Sequence, residues 1–322
     1  MPSDSAPSSS PARSMQESRV FVAGHRGMVG SALVRRLRAG GYSNLLLRPR
    51  AELDLLDQRA VREFMAGERP DYVFVAAARV GGIQANNHFR ADFLHDNLVI
   101  ETNLIRAAHD AGVDRMMFLG SSCIYPRDCP QPIKEEYLLT GPLEQTNEPY
   151  AIAKIAGLKL CEAFNAQYGR RYVSVMPTNL SGPEDNYDLA ASHVLPALIR
   201  KAHEAKARGD AELVVWGSGT PRREFLYVDD LADACVFLME RDTSPELLNI
   251  GTGEDLSIAE LAEIVMSVVG FRGRVAYDKS KPDGTPRKLL DVSRLAVLGW
   301  RAQTPLREGI AMAYKQFKEE VE

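Results

Sequence analysis

Short apolar runs alternate with segments of helical periodicity along the first half of the chain. Continuous apolar runs of this kind are typical of strands that are buried on both faces of a sheet. The runs that predict such strands lie at residues 20–23, 45–47, 72–76, 116–119, 173–176 and 213–216. Because amphipathic helices separate most of them, the pattern predicts an α/β fold with a Rossmann-type doubly wound parallel sheet.

The regular alternation ends near residue 180, where glycine and proline become frequent. We therefore predict a sheet domain over residues 17–180, to which a later segment near 211–250 returns. Residues 181–322 are predicted to form mainly a smaller mixed α/β lobe that binds substrate at the ligand edge of the sheet. Residues 1–16 are rich in serine, proline and alanine and lack the apolar core of a secretory signal, so we predict a disordered extension there.

The composition is that of a globular protein without a strong charge imbalance. The 322 residues include 39 Lys and Arg against 43 Asp and Glu, and 45% are hydrophobic. The slight acidity argues against nucleic acid or an anionic membrane as a partner. The cysteines are too scattered for a zinc site or a disulfide framework: Cys123, Cys129, Cys161 and Cys235. No apolar run approaches the length of a membrane helix, and reduced thiols predict a cytoplasmic protein without a bound metal.

A glycine-rich segment joins the first predicted strand to the first predicted helix. It reads Gly24-His25-Arg26-Gly27-Met28-Val29-Gly30. Glycines at this spacing permit a tight turn, a close approach of the backbone to a pyrophosphate and close packing of the helix on the strand. The amino end of the helix also presents free N–H groups and the positive end of its dipole to phosphates. The segment therefore predicts a dinucleotide site.

The residues after the second predicted strand indicate which dinucleotide binds. NAD-dependent folds of this class place an acidic side chain there to hold the ribose 2′-hydroxyl. This chain has Arg48 instead, with Arg50 close by and Arg26 in the glycine segment. Guanidinium groups pair with a 2′-phosphate, which a carboxylate would repel, so the pattern favours NADP. Glu52 and Asp54 follow and are candidates to face the adenine or the ribose.

A serine and a tyrosine–lysine pair form the predicted catalytic group. Ser121 follows the fourth predicted strand, at the carboxyl edge of the sheet, where ligands bind in folds of this class. Tyr150 and Lys154 are four residues apart, so on a helix they share one face. Because an ammonium group beside a phenol lowers the pKa of the phenol, we expect Lys154 to prepare Tyr150 for acid–base chemistry. Ser121 would bond the same substrate oxygen.

In order and spacing, these features resemble the extended short-chain dehydrogenase/reductases. Longer strings resemble the GDP-L-fucose synthases within that family, from about residue 19 to the C-terminus. Besides the glycine segment they are VGGI at 80–83, GSSCIYP at 120–126, NEPYAIAK at 147–154, VMPTNL at 175–180, WGSGTPRREF at 216–225 and KPDGTPRKLLD at 281–291. One departure is Ser181, which replaces the tyrosine of the family's Asn-Leu-Tyr-Gly-Pro and removes an aromatic ring beside the cofactor and sugar.

The resemblance implies a two-stage reaction of GDP-4-keto-6-deoxy-D-mannose, with epimerisation at C3 and C5 followed by reduction of C4 by NADPH. Both epimerised carbons lie next to the C4 ketone, so removal of either proton places charge on the same oxygen. Tyr150 and Ser121 would stabilise this enolate, and Tyr150 would protonate the oxygen during reduction. Inversion also requires two further groups that remove and return protons on opposite faces of the sugar.

The resemblance assigns these proton transfers to Cys123 and His193. Cys123 lies two positions after Ser121, and alternate residues of an extended segment share a face. The other residues that the resemblance places at the cofactor are Pro177 and Leu180. Those that it places at the substrate are Asn179, Lys201, Trp216, Arg223 and Lys281, with Arg222 as an alternative to Arg223 at the diphosphate. It also implies a homodimer formed by helices at about 90–112 and 147–168.

Other functions fit part of the pattern. A nucleotide-sugar 4,6-dehydratase of the same superfamily typically has Asp-Glu where this chain has Ser122 and Cys123. A nucleotide-sugar 4-epimerase would hold NAD tightly and favour an acidic residue in place of Arg48. A non-catalytic NADP sensor with this fold would not need the assembled serine, tyrosine and lysine.

Overall fold

The computed structural model describes residues 15–189, 192–281 and 283–321. The disorder predicted for residues 1–16 concerns positions that lie outside these ranges, except for the last two, which begin a 3₁₀ helix at Met15–Glu17. Two further 3₁₀ helices lie at Ser122–Ile124 and Glu135–Tyr137.

The described chain alternates strands and helices. The strands are β1 (Val20–Ala23), β2 (Leu45–Leu46), β3 (Tyr72–Val75), β4 (Arg115–Leu119), β5 (Arg171–Pro177), β6 (Asn179–Ser181), β7 (Glu212–Trp216), β8 (Arg222–Tyr227), β9 (Leu247–Ile250), β10 (Asp255–Ser257), β11 (Arg274–Asp278) and β12 (Arg287–Lys288). The helices are α1 (Met28–Ala39), α2 (Gln58–Glu68), α3 (Ile83–His88), α4 (Arg90–Asp110), α5 (Glu148–Tyr168), α6 (Val194–Arg208), α7 (Val228–Glu240), α8 (Ile258–Val269), α9 (Ser293–Val297) and α10 (Leu306–Val321). No helix among these residues is both long enough and apolar enough to span a bilayer.

The main sheet contains six parallel strands in the order β2-β1-β3-β4-β5-β9. One face packs on α1 and α7 through side chains such as Leu33 and Leu231. The other face packs on α2, α4 and α5 through side chains such as Val61, Leu104 and Leu158. Helices on both faces of a parallel sheet confirm the doubly wound fold that the sequence predicts.

One predicted strand does not belong to this sheet. Residues 213–216 do form a strand, but β7 pairs with β11 in a separate two-stranded sheet, and the sixth strand of the main sheet is β9. In β7 only alternate residues, Leu213 and Val215, are buried, as expected of a strand covered on one face. β9 was not predicted because Asn249, whose amide is fully buried, interrupts its apolar run.

The smaller lobe stands beside the carboxyl edge of the main sheet. β8 pairs with β6, β10 and β12, while α6, α8 and α10 enclose a third apolar core with β7. Since β6 follows β5 after one residue and pairs in parallel with β8, the two lobes are joined at the edge where β5 ends.

Candidate active site

The predicted cofactor and catalytic segments meet at one edge of the sheet. β1, β4 and β5 run parallel, so the segments that leave their carboxyl ends lie side by side. These segments begin at Gly24, Gly120 and Thr178. The crevice outside such an edge is where doubly wound folds bind their ligands.

The glycine segment is shaped for a close approach of phosphate. Gly24 has φ +83, and a Cβ there would lie 2.7 Å from the backbone nitrogen of Ala77. A Cβ on Gly30 would lie 2.0 Å from the carbonyl oxygen of Gly24, so α1 packs against the turn in a way that only glycine permits. Gly27 is the N-cap residue of α1, and a Cβ there would meet the Gly24 carbonyl oxygen only at 3.7 Å. A dinucleotide pyrophosphate therefore fits against the open backbone at the amino end of α1.

The three arginines near this segment differ in their partners. Arg48 donates to Glu68 at 2.8 Å, and its guanidinium lies over the Phe64 ring. Arg50 is largely exposed and makes only a 3.5 Å ion pair with Asp54. Arg26 is exposed and has no ion-pair partner among the residues described.

His25 and Glu52 lie near each other beside Arg26. Partial burial and the Arg26 cation lower the pKa of His25, and the Glu52 carboxylate opposes them. Glu52 is therefore close enough to the glycine segment for its charge to act on His25.

Ser121 and Cys123 are neighbours through a turn. The sequence analysis expected an extended segment, but Ser122–Ile124 is a 3₁₀ helix, and Ser121 caps it by accepting a hydrogen bond from the Cys123 backbone nitrogen at 3.3 Å. That expectation is therefore wrong, although the turn still brings Ser121 close enough to hydrogen-bond the Cys123 thiol. Burial raises the pKa of this thiol, which is only 7% exposed.

Tyr150 and Lys154 share a face of α5, with the Lys154 Nζ atom 5.8 Å from the centre of the Tyr150 ring. Lys154 is fully buried, donates to the Leu119 carbonyl at 3.0 Å and lies 2.9 Å from the Oε1 atom of Glu101. The pKa of Tyr150 is raised well above its ordinary value by burial, then by Cys123 and Glu101. The pKa of the Tyr150 phenol is therefore raised and not lowered, chiefly because the phenol is buried, and the Glu101 charge adds to this effect.

Lys288 joins two predicted site residues that are distant in sequence. Its charge lowers the pKa of both the Cys123 thiol and the His193 ring, although burial outweighs this effect at Cys123. His193 stands at the amino end of α6 with an exposed side chain, and the pKa of its ring is lowered first by the protein around it and then by Lys288. Lys288 lies on β12 beside Arg223 of β8, and burial lowers its own pKa. Lys288 is therefore close enough to both Cys123 and His193 for its charge to act on them, as it also acts on Cys129.

Cations and an aromatic ring cluster in the smaller lobe. Lys201 and Lys281 both lie over the Trp216 ring, at 4.6 and 5.3 Å from the ring centre. Trp216 is itself 42% exposed, so the ring is accessible to a ligand.

Two arginines compete for the predicted diphosphate site. Arg222 is bonded to Asp255, Nε to Oδ1, at 2.9 Å. Among the residues described, Arg223 donates to the Arg222 carbonyl, and burial lowers its pKa while the Asp283 charge opposes this effect. Arg223 is therefore the guanidinium with donors to spare for a phosphate.

The residues after β5 link the two halves of the site. Pro177 ends β5 beside Ile250, and Leu180 packs on the α1 and α7 face of the core. Asn179 donates to the Glu224 carbonyl at 2.8 Å. Ser181 is buried and pairs with Tyr227, so this position is enclosed despite the missing aromatic ring.

Sequence reasoning missed Lys288 and Glu101. Lys288 lies in the KPDGTPRKLLD string, in which only Lys281 was singled out. Glu101 had a weaker signal, since it lies four residues after Asn97 on the buried side of a helix. An acidic side chain on the apolar face of a helix is rarely buried without a partner.

Comparison with known proteins agrees with this geometry. Residues 20–251 match the NAD dependent epimerase/dehydratase family. The GDP-L-fucose synthase of Escherichia coli is 57% identical over 95% of this chain and 98% of its own length. GDP-L-fucose synthase 1 of Arabidopsis thaliana is 56% identical, with 95% of each chain covered. The crystal structure of a GDP-L-fucose synthetase from Naegleria fowleri bound to NADP superposes with a TM-score of 0.87 at 30% identity, covering 95% of each chain.

The family match covers most of the chain, and the relatives are alike over nearly their whole length. This chain therefore belongs to the NAD dependent epimerase/dehydratase family and, within it, to the GDP-L-fucose synthases.

Proposed function

We propose that this chain converts GDP-4-keto-6-deoxy-D-mannose to GDP-L-fucose with NADPH, as a 3,5-epimerase and 4-reductase. One observation carries the proposal: α5, which holds Tyr150 and Lys154, packs against the turn that holds Ser121 and Cys123, and Lys154 donates to the Leu119 carbonyl just before that turn at 3.0 Å. A reductase alone needs a donor to the ketone oxygen. A thiol on the adjoining turn, with an imidazole beyond Lys288, supplies proton-exchanging groups that epimerisation requires.

Tyr150 and Ser121 serve the C4 oxygen in both stages. Because the pKa of Tyr150 is raised, the phenol holds its proton near neutral pH and can donate a hydrogen bond to an enolate oxygen. NADPH, when bound, would supply the hydride that reduces C4 in the second stage. Tyr150 then gives its proton to the oxygen as the alcohol forms.

Cys123 and His193 exchange protons at C3 and C5. Near neutral pH the raised pKa of the thiol and the lowered pKa of the imidazole leave both groups uncharged before substrate binds. Lys288 favours the thiolate when Cys123 gives up its proton and disfavours a charged His193. One cation therefore favours the deprotonated form of both groups.

The nucleotide part of the substrate is held by the smaller lobe. Arg223 binds the diphosphate, since a guanidinium pairs with phosphate oxygens in two-point geometry. Trp216, with Lys201 and Lys281, offers a ring face and two cations to the rest of the GDP-sugar. Arg26 contacts the 2′-phosphate of NADPH, because its charge is free while Arg48 is paired with Glu68.

The chain acts as a cytoplasmic homodimer. The outer faces of α4 and α5 carry half-buried or exposed apolar side chains, among them Leu94, Leu98 and Ile152. The same helices pack on each other in the protein, so a second copy would complete a bundle of four helices. The four cysteines are unpaired thiols, as expected in a reducing compartment.

The proposal is tested by supplying the purified protein with the GDP-sugar substrate and NADPH together. Purified protein should oxidise NADPH in the presence of GDP-4-keto-6-deoxy-D-mannose and form GDP-L-fucose, identified by NMR. A UDP-4-keto sugar serves as the matched control and should give no NADPH oxidation. Equal rates with both sugars, or a fucose product formed without NADPH, would contradict the proposal.

A further inference from the structure

Glu101 is a buried carboxylate that the proposed reaction does not use. It lies on α4, is 1% exposed and faces α5, where its Oε1 atom is 2.9 Å from the Nζ atom of Lys154. Neither of its oxygens has a well-oriented hydrogen-bond donor among the residues described. Burial of such a group is costly, and the Lys154 cation is what makes it tolerable.

A glycine inside helix α5 provides the space that the Glu101 carboxylate occupies. Gly157 lies within α5, where glycine is destabilising by roughly 0.5–1 kcal/mol relative to alanine. A Cβ at Gly157 would lie 2.7 Å from the Oε2 atom of Glu101 and 2.5 Å from the ring of Phe118. Any other residue at this position would displace Glu101 or the ring on which Lys154 packs.

We infer that Glu101 is a positioning residue that neutralises Lys154 and thereby keeps Tyr150 a protonated hydrogen-bond donor. The inference rests on the proposed function, which needs a phenol and not a phenolate at the C4 oxygen in both stages. An unpaired Lys154 would stabilise a phenolate, which suits oxidation of an alcohol. Pairing with Glu101 adapts the same tyrosine and lysine to enolate stabilisation and ketone reduction.

Three other titratable groups lie near Tyr150 and Glu101: Cys123, Lys288 and Cys161. Cys123, from the turn after β4, faces Tyr150, and a thiolate there would raise the pKa of Tyr150 further. Lys288 on β12 faces Cys123 from the smaller lobe. Cys161, one turn beyond Gly157 on α5, senses the Glu101 charge. Because none of these groups lies within ion-pair distance of Lys154, Glu101 is its counterion.

The test is the titration of Tyr150 itself, followed without substrate. Tyrosinate absorbance is recorded as the pH is raised, and the curve of a Tyr150→Phe protein is subtracted to leave the signal of Tyr150. The wild-type difference curve should show no tyrosinate below about pH 10, the ordinary pKa of tyrosine. In Glu101→Gln the midpoint should fall by at least about one pH unit, since an opposite charge at this range lowers a pKa by roughly 1–3 units.

Two further variants keep the test decisive. Glu101→Asp retains the charge at a greater distance from Lys154, so its midpoint should lie between those of the wild type and Glu101→Gln, and it decides the matter if Glu101→Gln does not fold. Glu135→Gln removes a different buried carboxylate, one that bonds the Asn249 backbone and not Lys154. It should leave the Tyr150 midpoint unchanged.

Wild-type midpoints in both Glu101 variants would overturn the inference. The readout is independent of turnover, so a shifted midpoint in a protein that does not convert the GDP-sugar would uphold the role of Glu101 and reject the proposed function. With turnover present, the alkaline limb of the kcat profile should move to lower pH in Glu101→Gln along with the midpoint.

Discussion

Arg48 is paired with Glu68, its Nη2 atom 2.8 Å from Oε1. Glu68 ends α2 and also pairs with Arg19, which comes just before β1. Arg19, Arg48 and Glu68 therefore form one cluster of charges in which Glu68 neutralises part of the Arg48 charge. The sequence predicts Arg48 as a ligand for the 2′-phosphate, and in the fold its guanidinium is paired with Glu68.

The arginines should therefore differ in their effect on cofactor choice. Arg26→Gln should raise the KM for NADPH about tenfold and leave the KM for NADH nearly unchanged, since a charge-assisted hydrogen bond is worth about 1.5–3 kcal/mol. Arg48→Gln should change the KM for NADPH less than about threefold, as expected of a partly exposed ion pair that makes no ligand contact. Steady-state kinetics with both dinucleotides gives the ratio of the KM for NADPH to the KM for NADH in the wild type and in each variant. A larger effect at Arg48 would mean that it leaves Glu68 when NADPH binds.

Replacing Cys123 should separate the two stages. Cys123→Ser keeps the size of the side chain but removes its acid–base function near neutral pH, so exchange at C3 and C5 should fall by about 10²-fold or more. Some reduction at C4 should remain, because Tyr150 and Ser121 are untouched. NMR of the sugar in D₂O follows exchange, and NADPH absorbance follows reduction.

Cys129→Ser is the matched control for this experiment. Cys129 lies six residues on, is half-buried, and its backbone nitrogen donates to the Pro126 carbonyl. It should behave as wild type in both assays. Unchanged deuterium exchange in Cys123→Ser would remove Cys123 from the epimerisation.

The parts of the fold that the sequence predicts are those with uniform burial. β1 and β3 are apolar throughout, β4 is apolar after Arg115, and all three were predicted to within one residue at each end. β9 was missed because Asn249 breaks its apolar run. In the site, the spacing of Tyr150 and Lys154 follows from helix geometry alone. The ion pair between Lys154 and Glu101 joins two helices that are distant in sequence, and no local sequence pattern predicts such a contact. The turn at Ser122–Ile124 was missed for a related reason, since a single 3₁₀ turn leaves no periodicity to detect.

Lys288→Met should raise the pKa of two groups at once. The Lys288 cation favours the Cys123 thiolate and disfavours the charged form of His193, so its removal makes the thiol a weaker acid and the imidazole a stronger base. Iodoacetamide should therefore modify Cys123 more slowly at a given alkaline pH, as measured by mass spectrometry. The NMR titration of His193 should move to higher pH, with the signal assigned by its loss in His193→Asn. Lys281→Met, which removes a cation over Trp216, should leave both unchanged; movement of only one group would show that Lys288 does not act on both.

Asn249 should be important for stability although it touches no ligand. Its amide nitrogen donates to the Ile133 carbonyl at 2.9 Å, its oxygen accepts from the Tyr125 hydroxyl at 2.6 Å, and its backbone nitrogen donates to Glu135 at 3.0 Å. Asn249→Ala leaves the buried Tyr125 hydroxyl unpaired and removes one of the two hydrogen bonds to the Ile133 carbonyl, which also accepts from the Asp291 backbone nitrogen. The free energy of unfolding should therefore fall by about 2–4 kcal/mol in urea titrations. Asn44→Ala removes one exposed bond, to the Glu17 carbonyl at 2.9 Å, and should lower it by less than about 1 kcal/mol. Since Tyr125 lies two residues after Cys123, equal losses in the two variants would show that this buried network does not hold the catalytic turn in place.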